Sequence, residues 1–117
     1  MKLSEIKKIL QATVLAGETQ LDKSVVGGGA ADLMDDVLSA VVEDAILLTG
    51  LTTEEVVQTA VIAGAGAVVF VRGKKPEDSV LELAREHQLP ILMTRYSLFV
   101  ACGRLYINGL RGLDGSW

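Results

Sequence analysis

Residues 45–75 read AILLTGLTTEEVVQTAVIAGAGAVVFVRGKK, and this stretch decides the fold. Two short apolar runs, residues 45–49 and 67–71, flank a segment whose apolar residues recur at helical spacing. Parallel strands need a crossover helix between them, so the pattern predicts a strand–helix–strand unit. The strand exits at Thr49-Gly50 and Arg72-Gly73 should then lie side by side at the carboxyl edge of a sheet, where open α/β folds bind ligands.

The composition indicates a single soluble domain. The chain has 117 residues, of which 50% are hydrophobic and only 4% aromatic, so its core must be built from aliphatic side chains. The net charge of −4 gives no electrostatic reason to expect nucleic acid or a membrane surface as partner. The single cysteine, Cys102, excludes an internal disulfide and favours a reducing cytoplasm. No signal peptide and no membrane-spanning run are visible, so we expect a cytoplasmic protein.

The remaining pattern alternates strands with helices. Strands are predicted at residues 13–16, from Val25 into Gly27-Gly28-Gly29, and at 45–49, 67–71 and 91–93. Helices are predicted at residues 4–10, 32–41, 52–64, 76–87 and 97–106, with Gly17-Glu18-Thr19 as a turn. Ser4 is the predicted cap of the first helix, Thr52 and Glu55 form a predicted capping box, and Pro76 takes a first helical position.

These elements predict an α/β fold, a three-layer α/β/α sandwich on a mostly parallel sheet of four to five strands. Residues 1–110 should form the one domain. The Gly-rich, aperiodic residues 111–117 are expected to be a flexible C-terminal tail.

Several segments together resemble the DRTGG domain, over roughly residues 1–110. They are MKLSEIKKIL, VVGGGAADLMDDVL, AILLTG, AVVFVRGKKPEDSVLELAREHQLPILMT and SLFVACGRLY. That domain is related to the N-terminal domain of HPr kinase/phosphorylase and to a segment of some bacterial phosphotransacetylases, and it occurs alone or beside CBS domains. The resemblance implies a non-enzymatic regulatory or interaction module. It does not imply a kinase, because that activity resides in a separate domain with a Walker A loop, which this chain lacks.

The family's signature residues are replaced at two places in this sequence. Leu51-Thr52 stands where the family has Asp-Arg, after the strand that ends at Thr49-Gly50. Val71-Arg72-Gly73 stands where the family has Thr-Gly-Gly, so that only Gly73 and the later Pro76 match plainly.

The best candidate ligand site is the edge where these strands end. Cationic residues follow the strand at residues 67–71 and precede a helix N-terminus, which is a favourable place for an anion. The predicted binding residues are Thr49, Gly50, Thr52, Arg72, Gly73, Lys74 and Arg95, with Lys75 as a further cation and Thr53 and Thr94 as further hydroxyl donors. The expected ligand is a nucleotide or phosphorylated metabolite. The alternative is a solvated basic loop paired with Glu54, Glu77 or Asp78.

Other candidates have simpler structural explanations. Gly27-Gly28-Gly29 lies where a phosphate-cradling loop would sit, but the pattern is not GxGxxG, and a tight turn with close helix–sheet packing also explains it. Asp32, Asp35 and Asp36 should complement a helix N-terminus and not bind metal. His87 is expected at a helix C-terminus, and Cys102 as a small core residue. No spacing suggests a catalytic triad, a metal site or a cofactor, so we predict a non-enzyme.

Self-association is the other functional prediction. The last helix is apolar around much of its circumference, and excess apolar surface is usually buried against another subunit. Its candidate dimer face consists of Leu98, Phe99, Val100, Leu105, Tyr106 and Ile107. Two interpretations remain open: the helix covers one side of the sheet, or it forms a homodimer or another protein contact. The leading function is thus a ligand-sensing regulatory module, and the alternative is a purely structural interaction domain acting through this helix.

Overall fold

The computed structural model describes residues 1–40 and 42–113, without the side chain of Ala40. Its elements are α1 Leu3–Ile9, β1 Thr13–Ala16, a 3-10 turn Glu18–Gln20, β2 Gly28–Ala30, α2 Met34–Ala40, β3 Ile46–Thr49, α3 Glu54–Ala63, β4 Ala67–Phe70, α4 Asp78–Glu86, β5 Ile91–Met93 and α5 Leu98–Ile107. None of the described helices is long and apolar enough to cross a membrane. The predicted end of α2 at Val41 lies outside the described residues.

The five strands form one sheet in the order β1-β5-β4-β3-β2. Strands β2 to β5 are parallel neighbours, each joined to the next by one of the helices α2, α3 and α4. Strand β1 pairs antiparallel with β5 at the far edge. The predicted mostly parallel sheet is therefore confirmed, and the three parallel crossovers bring the ends of β3, β4 and β5 to one edge.

Both faces of the central strands are buried, because helices cover the sheet on each side. Leu47 and Val68 pack on one face with residues of α3 and α4, while Leu48 and Val69 pack on the other with residues of α1 and α5. All four residues of β3 and of β4 are buried. Strands buried on both faces read as continuous apolar runs, which explains why the sequence predicted them correctly.

The helix starts differ from prediction because tertiary contacts replace the expected side-chain caps. Helix α1 begins at Leu3, not Ser4, since the backbone N–H groups of Leu3 and Ser4 donate to Lys23 and Leu21 carbonyls at 2.9 Å. A helix whose first N–H groups are bonded in this way needs no serine cap.

Helices α3 and α4 also begin later than predicted. Thr53, not Thr52, is the N-cap of α3, and its side chain makes no capping bond, so the predicted Thr52–Glu55 capping box does not form. Glu77 is the N-cap of α4, which leaves Pro76 two residues before the helix. The predicted end of α3 at Gly64 is confirmed, with the φ of +75° that favours glycine there.

The glycine run lies mostly inside a strand, which corrects the prediction of a loop between strand and helix. Gly28 and Gly29 belong to β2 and pair with Ile46 and Leu47 of β3, whereas Val25 and Val26 precede the strand. Because Gly28 and Gly29 belong to a strand, they do not form the loop that a phosphate-cradling site would need.

Close packing explains two of these glycines. A Cβ on Gly28 would lie 2.9 Å from Leu110 Cδ2, and one on Gly27 would lie 3.0 Å from the Arg111 carbonyl oxygen. The segment that follows α5 packs here: Gly28 N donates to that carbonyl at 3.0 Å, and Gly112 bridges Gly28 in parallel. Residues 111–113 of the expected flexible tail thus contact the outer edge of β2, and residues 114–117 lie outside the described residues.

Gly28→Ala should destabilise the fold by about 1 kcal/mol, because the new methyl group forces the end of the Leu110 side chain to shift. Urea unfolding followed by circular dichroism measures the change. The control is the same substitution in a Leu110→Ala background, where the cavity accepts the methyl group and the added cost should shrink. Equal costs in both backgrounds would contradict the packing role assigned to Gly28.

Candidate functional site

The carboxyl ends of β3, β4 and β5 meet at one edge of the sheet, as parallel pairing requires. After β4 the chain makes a tight turn at residues 71–74, in which Lys74 N donates to the Val71 carbonyl at 3.4 Å. Arg72 and Gly73, the central residues, have φ of +61° and +66°, as in a type I′ turn. Their N–H groups donate to the carbonyls of Tyr96 and Thr94, each at 2.8 Å, which ties the turn to the segment after β5.

Arg72 adopts a backbone conformation that suits glycine. A non-glycine residue with this φ costs on the order of 1 kcal/mol, and the surrounding hydrogen bonds hold it there. With this backbone conformation, the Arg72 side chain lies at the edge of the sheet above the end of β3. Arg95 lies beside the same turn, since a Cβ on Gly73 would be 3.8 Å from Arg95 Cγ.

The Gly50 backbone lies between a cation and an anion. The position that a Gly50 Cβ would occupy is 2.9 Å from Arg72 Nη2 and 3.6 Å from Asp32 Oδ1. Lys74 Nζ donates to the Gly50 carbonyl at 3.4 Å. The structure therefore brings Gly50, Arg72 and Lys74 together.

Asp32 takes the place that a bound anion would be expected to fill. Its Oδ1 accepts from Gly50 N at 2.8 Å and from Thr49 Oγ1 at 3.1 Å. The sequence interpretation put Asp32 at the start of a helix, but α2 begins at Met34, and the carboxylate bonds to the end of β3 instead. The signal that sequence reasoning missed is the order of the strands in the sheet. Because β2 and β3 are parallel neighbours, a residue just after β2 lies next to the end of β3.

An open cleft of about 280 Å³ adjoins these groups. It is lined by Asp32, Gly50, Val71, Arg72, Ser97, Leu98 and Phe99. Ser97 caps α5, with its Oγ accepting from Val100 N at 3.2 Å. Sequence reasoning assigned no site role to Asp32 or Ser97, and it assigned Leu98 and Phe99 only to a dimer face.

The threonine hydroxyls predicted as ligand donors are already engaged or lie elsewhere. Thr49 is fully buried and, besides donating to Asp32, accepts from Leu51 N at 3.2 Å. Thr94 is also buried, and its Oγ1 donates to the Leu10 carbonyl at 2.7 Å. Thr52 and Thr53 lie in the connection before α3 and do not line the cleft. None of these four threonines is therefore available in the cleft, where Arg72 is the cationic residue of the lining and Ser97 the hydroxyl residue, whereas Arg95 lines a separate cleft with Thr13 and Met93.

The family assignment follows from a family model for the DRTGG domain, which matches residues 5–106. The chain belongs to the DRTGG domain family. The resemblance carried by the sequence segments is thereby confirmed.

A solved structure shares the fold of this DRTGG domain with a TM-score of 0.75. It is the crystal structure of the CBS and DRTGG domains of the regulatory region of Clostridium perfringens pyrophosphatase, complexed with the activator diadenosine tetraphosphate. The sequences are 19% identical, and the match covers 97% of this chain and 48% of that chain. This DRTGG domain thus spans about half the length of its structural neighbour. No curated protein matches the sequence.

The turn after β4 lies at the place that the sequence resemblance assigns to the family's Thr-Gly-Gly. Both central residues of the turn have positive φ, and two successive glycines would adopt it without strain. In this chain the first of the two is Arg72, which puts a cationic residue there.

The other polar candidates lie away from the cleft. His87 is the exposed C-cap of α4, and Asp35 and Asp36 lie in the first turn of α2. Cys102 is half-buried, which corrects the expectation of a core residue, and burial raises the pKa of its thiol above the ordinary value. Within residues 1–40 and 42–113, no group of three or more His, Cys, Asp and Glu is arranged to hold a metal ion.

Asp32→Ala should destabilise the DRTGG domain by about 1–3 kcal/mol, because the buried Thr49 hydroxyl and Gly50 N–H lose their acceptor. Chemical denaturation measures the loss. Asp32→Asn keeps an oxygen at Oδ1 and should recover a good part of it. Wild-type stability in Asp32→Ala would show that the two bonds contribute nothing.

Ser97→Ala should cost about 1 kcal/mol, because α5 loses the side-chain bond to Val100 N. Ser79→Ala, at an exposed position of α4, is the matched control and should change the free energy of unfolding by less than about 0.5 kcal/mol. If the Ser97 side chain contributes nothing to the stability of α5, both Ser97→Ala and Ser79→Ala should melt at the wild-type temperature.

Proposed function

We propose that this DRTGG domain is a non-enzymatic regulatory module that senses a phosphorylated ligand at the carboxyl edge of its sheet. The observation that carries the proposal is the Arg72 guanidinium, held above Gly50 by a left-handed backbone and opening onto the cleft. Lys74 and Arg95 lie at the same turn without lining the cleft, so they act on a bound anion through their charge. Anionic ligands are the natural partners of such a cluster.

The size of the cleft favours a particular part of the ligand. A volume of about 280 Å³ lies just below the usual range of small-molecule sites, which is roughly 300–1,000 Å³. It suits one or two phosphate groups better than a whole dinucleotide. The rest of a nucleotide would extend over the apolar residues Leu98 and Phe99 at the cleft wall.

Asp32 sets the direction from which an anion binds. Because its carboxylate already accepts the Gly50 N–H, a phosphate has no backbone donor there and must be held by side chains. Like charges also repel, so the phosphate should lie on the Arg72 side of the cleft. A guanidinium presents paired donors that match phosphate oxygens, which favours Arg72 as the principal contact.

The comparisons support a regulatory role without naming a ligand for this chain. The structural neighbour is part of a pyrophosphatase's regulatory region, crystallised with a nucleotide activator. Fold similarity does not locate that ligand on this chain, so the cleft is proposed on its own geometry. We also propose a cytoplasmic location, since a chain with one half-buried thiol suits a reducing compartment.

The test uses inorganic pyrophosphate and ATP as probes, with binding followed by thermal shift and isothermal titration calorimetry. A ligand that binds only the folded domain raises its melting temperature by mass action. Arg72→Gly removes the cation without disturbing the turn, and it should weaken binding by roughly tenfold or more, as expected for a lost charge-assisted hydrogen bond. Relief of backbone strain should at the same time stabilise the free protein by on the order of 1 kcal/mol.

Lys2→Ala is the matched control, because it also removes one exposed cation but lies at the start of α1. Its pyrophosphate affinity should equal that of the wild type. Asp32→Asn should bind pyrophosphate several-fold more tightly at low salt, since it removes a neighbouring negative charge. Equal affinity of the wild type and Arg72→Gly would remove the cleft from the proposal.

A protein-interaction domain acting through α5 is the second candidate function. The observation in its favour is the exposure of Phe99 and Ile107, which are 87% and 85% accessible. Exposed apolar side chains that share one face of a helix form a patch, and such patches mark interaction surfaces. Leu105 of the predicted dimer face lies instead in the core, 2% exposed, because α5 turns it towards the sheet. This candidate predicts no thermal shift with pyrophosphate or ATP and a melting temperature that rises with protein concentration.

A further inference from the structure

Two further cavities adjoin the cleft beside Arg72, and both lie between β2 and α5. An open groove of about 750 Å³, called here the outer groove, has a lining that includes Ala30, Leu98, Phe99, Cys102, Gly103 and Tyr106. A smaller space of about 130 Å³, called here the inner cavity, lies against the buried side chains of Leu48, Leu105 and Leu110. The cleft and the outer groove share Leu98 and Phe99, and the outer groove and the inner cavity share Ala30, Cys102 and Tyr106. The three spaces therefore follow one another along α5.

Small residues on both walls leave this space unfilled. Strand β2 contributes only Gly28, Gly29 and Ala30 to the inner cavity, so it supplies a single methyl group. The β-branched and aromatic side chains that strands usually carry would occupy the space, and protein interiors are normally close-packed. On α5, a Cβ at Gly103 would meet no atom within 4 Å. The walls therefore leave room for a further group.

The polarity of the lining changes along these spaces. The cleft contains the Arg72 guanidinium beside the Asp32 carboxylate, which is already engaged at the end of β3. No charged side chain of the described residues lines the outer groove, where the polar side chains are Cys102 and Tyr106. Residues 97–113 contain no Asp or Glu, so this segment presents no carboxylate to a bound anion. A ligand that matches the whole surface is anionic at one end and apolar along the rest.

The lining favours a hydrocarbon chain over a nucleobase. A base has ring nitrogens and exocyclic groups that lose water on binding and then need hydrogen-bond partners. The outer groove offers one thiol, which is a weak donor, and one phenol. At the inner cavity, Arg111 Nη1 is engaged, because it donates to the carbonyls of Tyr106 at 3.0 Å and Leu110 at 3.4 Å. An aliphatic chain needs no such partners and gains free energy from each methylene group removed from water.

We propose that the ligand of the cleft is an aliphatic phosphate ester, whose phosphate binds Arg72 and whose hydrocarbon chain lies in the outer groove. The inference rests on the ligand function proposed above, and it names the chemical class of that ligand. Helix α5, from Leu98 to Ile107, is about 15 Å long and sets the length of chain that can be covered. The ligand is a single molecule in solution and not a bilayer, because a flat surface would contact the protruding Phe99 and Ile107 and leave the inner cavity empty.

The experiment is isothermal titration calorimetry of the purified chain with inorganic phosphate, butyl phosphate and octyl phosphate, each kept monomeric in solution. We expect affinity to rise with chain length, by up to about fourfold for each methylene group that is fully buried. Arg72→Gly should weaken the binding of all three by the same factor, because they share the phosphate. Inorganic pyrophosphate, titrated alongside, measures the proposed ligand function by itself.

Gly103→Gln separates the contribution of the chain from that of the phosphate. Its side chain enters the outer groove and places an amide there, so octyl phosphate should bind about tenfold more weakly, while the affinity for inorganic phosphate stays that of the wild type. Gly103→Ala is the matched control, since it adds only a methyl group and should keep most of the affinity. Both variants should melt at or above the wild-type temperature, because alanine and glutamine are better helix formers than glycine.

Alkylation of Cys102, the one cysteine of the chain, supplies an independent measurement. Cys102 lines both the outer groove and the inner cavity. Saturating octyl phosphate should therefore slow its alkylation, whereas saturating pyrophosphate should leave the rate unchanged.

The outcomes separate this inference from the ligand function. Pyrophosphate binding that depends on Arg72, with equal affinities for inorganic, butyl and octyl phosphate, would overturn the aliphatic chain and leave the ligand function standing. Octyl phosphate binding that Arg72→Gly does not weaken would overturn the phosphate contact and with it both proposals, as would the absence of binding by any of these anions. ATP that binds more tightly than octyl phosphate and protects Cys102 would replace the chain with a nucleobase. Binding to phosphatidic acid vesicles, without binding of monomeric octyl phosphate, would replace the free ligand with a membrane surface.

Discussion

The pairing of β3 with β4 is the contact on which the rest of the structure depends. Both strands are buried along their whole length, and the backbone ladder between them satisfies polar groups that no water reaches. Since their side chains point alternately to the two faces, the pair demands a helix layer on each side. The same register sets Thr49 opposite Phe70, so the residues that leave the two strands must emerge together. The pairing of β3 with β4 therefore positions both the core and the candidate site.

The central strands could be predicted from sequence because burial on both faces leaves a local record, the uninterrupted apolar run. Strand β2 leaves no such record. Its Gly-Gly-Ala sequence has low strand propensity and becomes a strand because Ile46 and Leu47 pair on one side. On the other side the segment after α5 contacts it, and the end of the Leu110 side chain packs closely over Gly28. A contact between residues more than 80 positions apart cannot be seen in either segment alone.

The candidate site shows the same division between local and distant information. Convergence of Gly50 and Arg72 at one edge follows from strand order, which the strand–helix–strand pattern indicates. Strand order does not show which polar groups at this edge already have a hydrogen-bond partner. Thr49 and Thr94 looked like free donors, but Asp32 and the Leu10 carbonyl accept from them. Because a buried hydroxyl must find a partner, a threonine at a strand end is more often committed to the fold than available to a ligand.

The first turn of α5 joins the two surfaces that carry candidate functions. Leu98 and Phe99 line the cleft beside Arg72, and they also line an open groove on the outer side of α5. A protein partner packed against Phe99 would restrict its rotamers, and a ligand in the cleft would then contact a wall that is fixed and not mobile. Any difference in ligand affinity between the free and the partner-bound domain must appear, by thermodynamic linkage, as an equal factor in partner binding with and without ligand. The two candidate functions are therefore coupled to the extent that both constrain Phe99, without any rearrangement of the sheet.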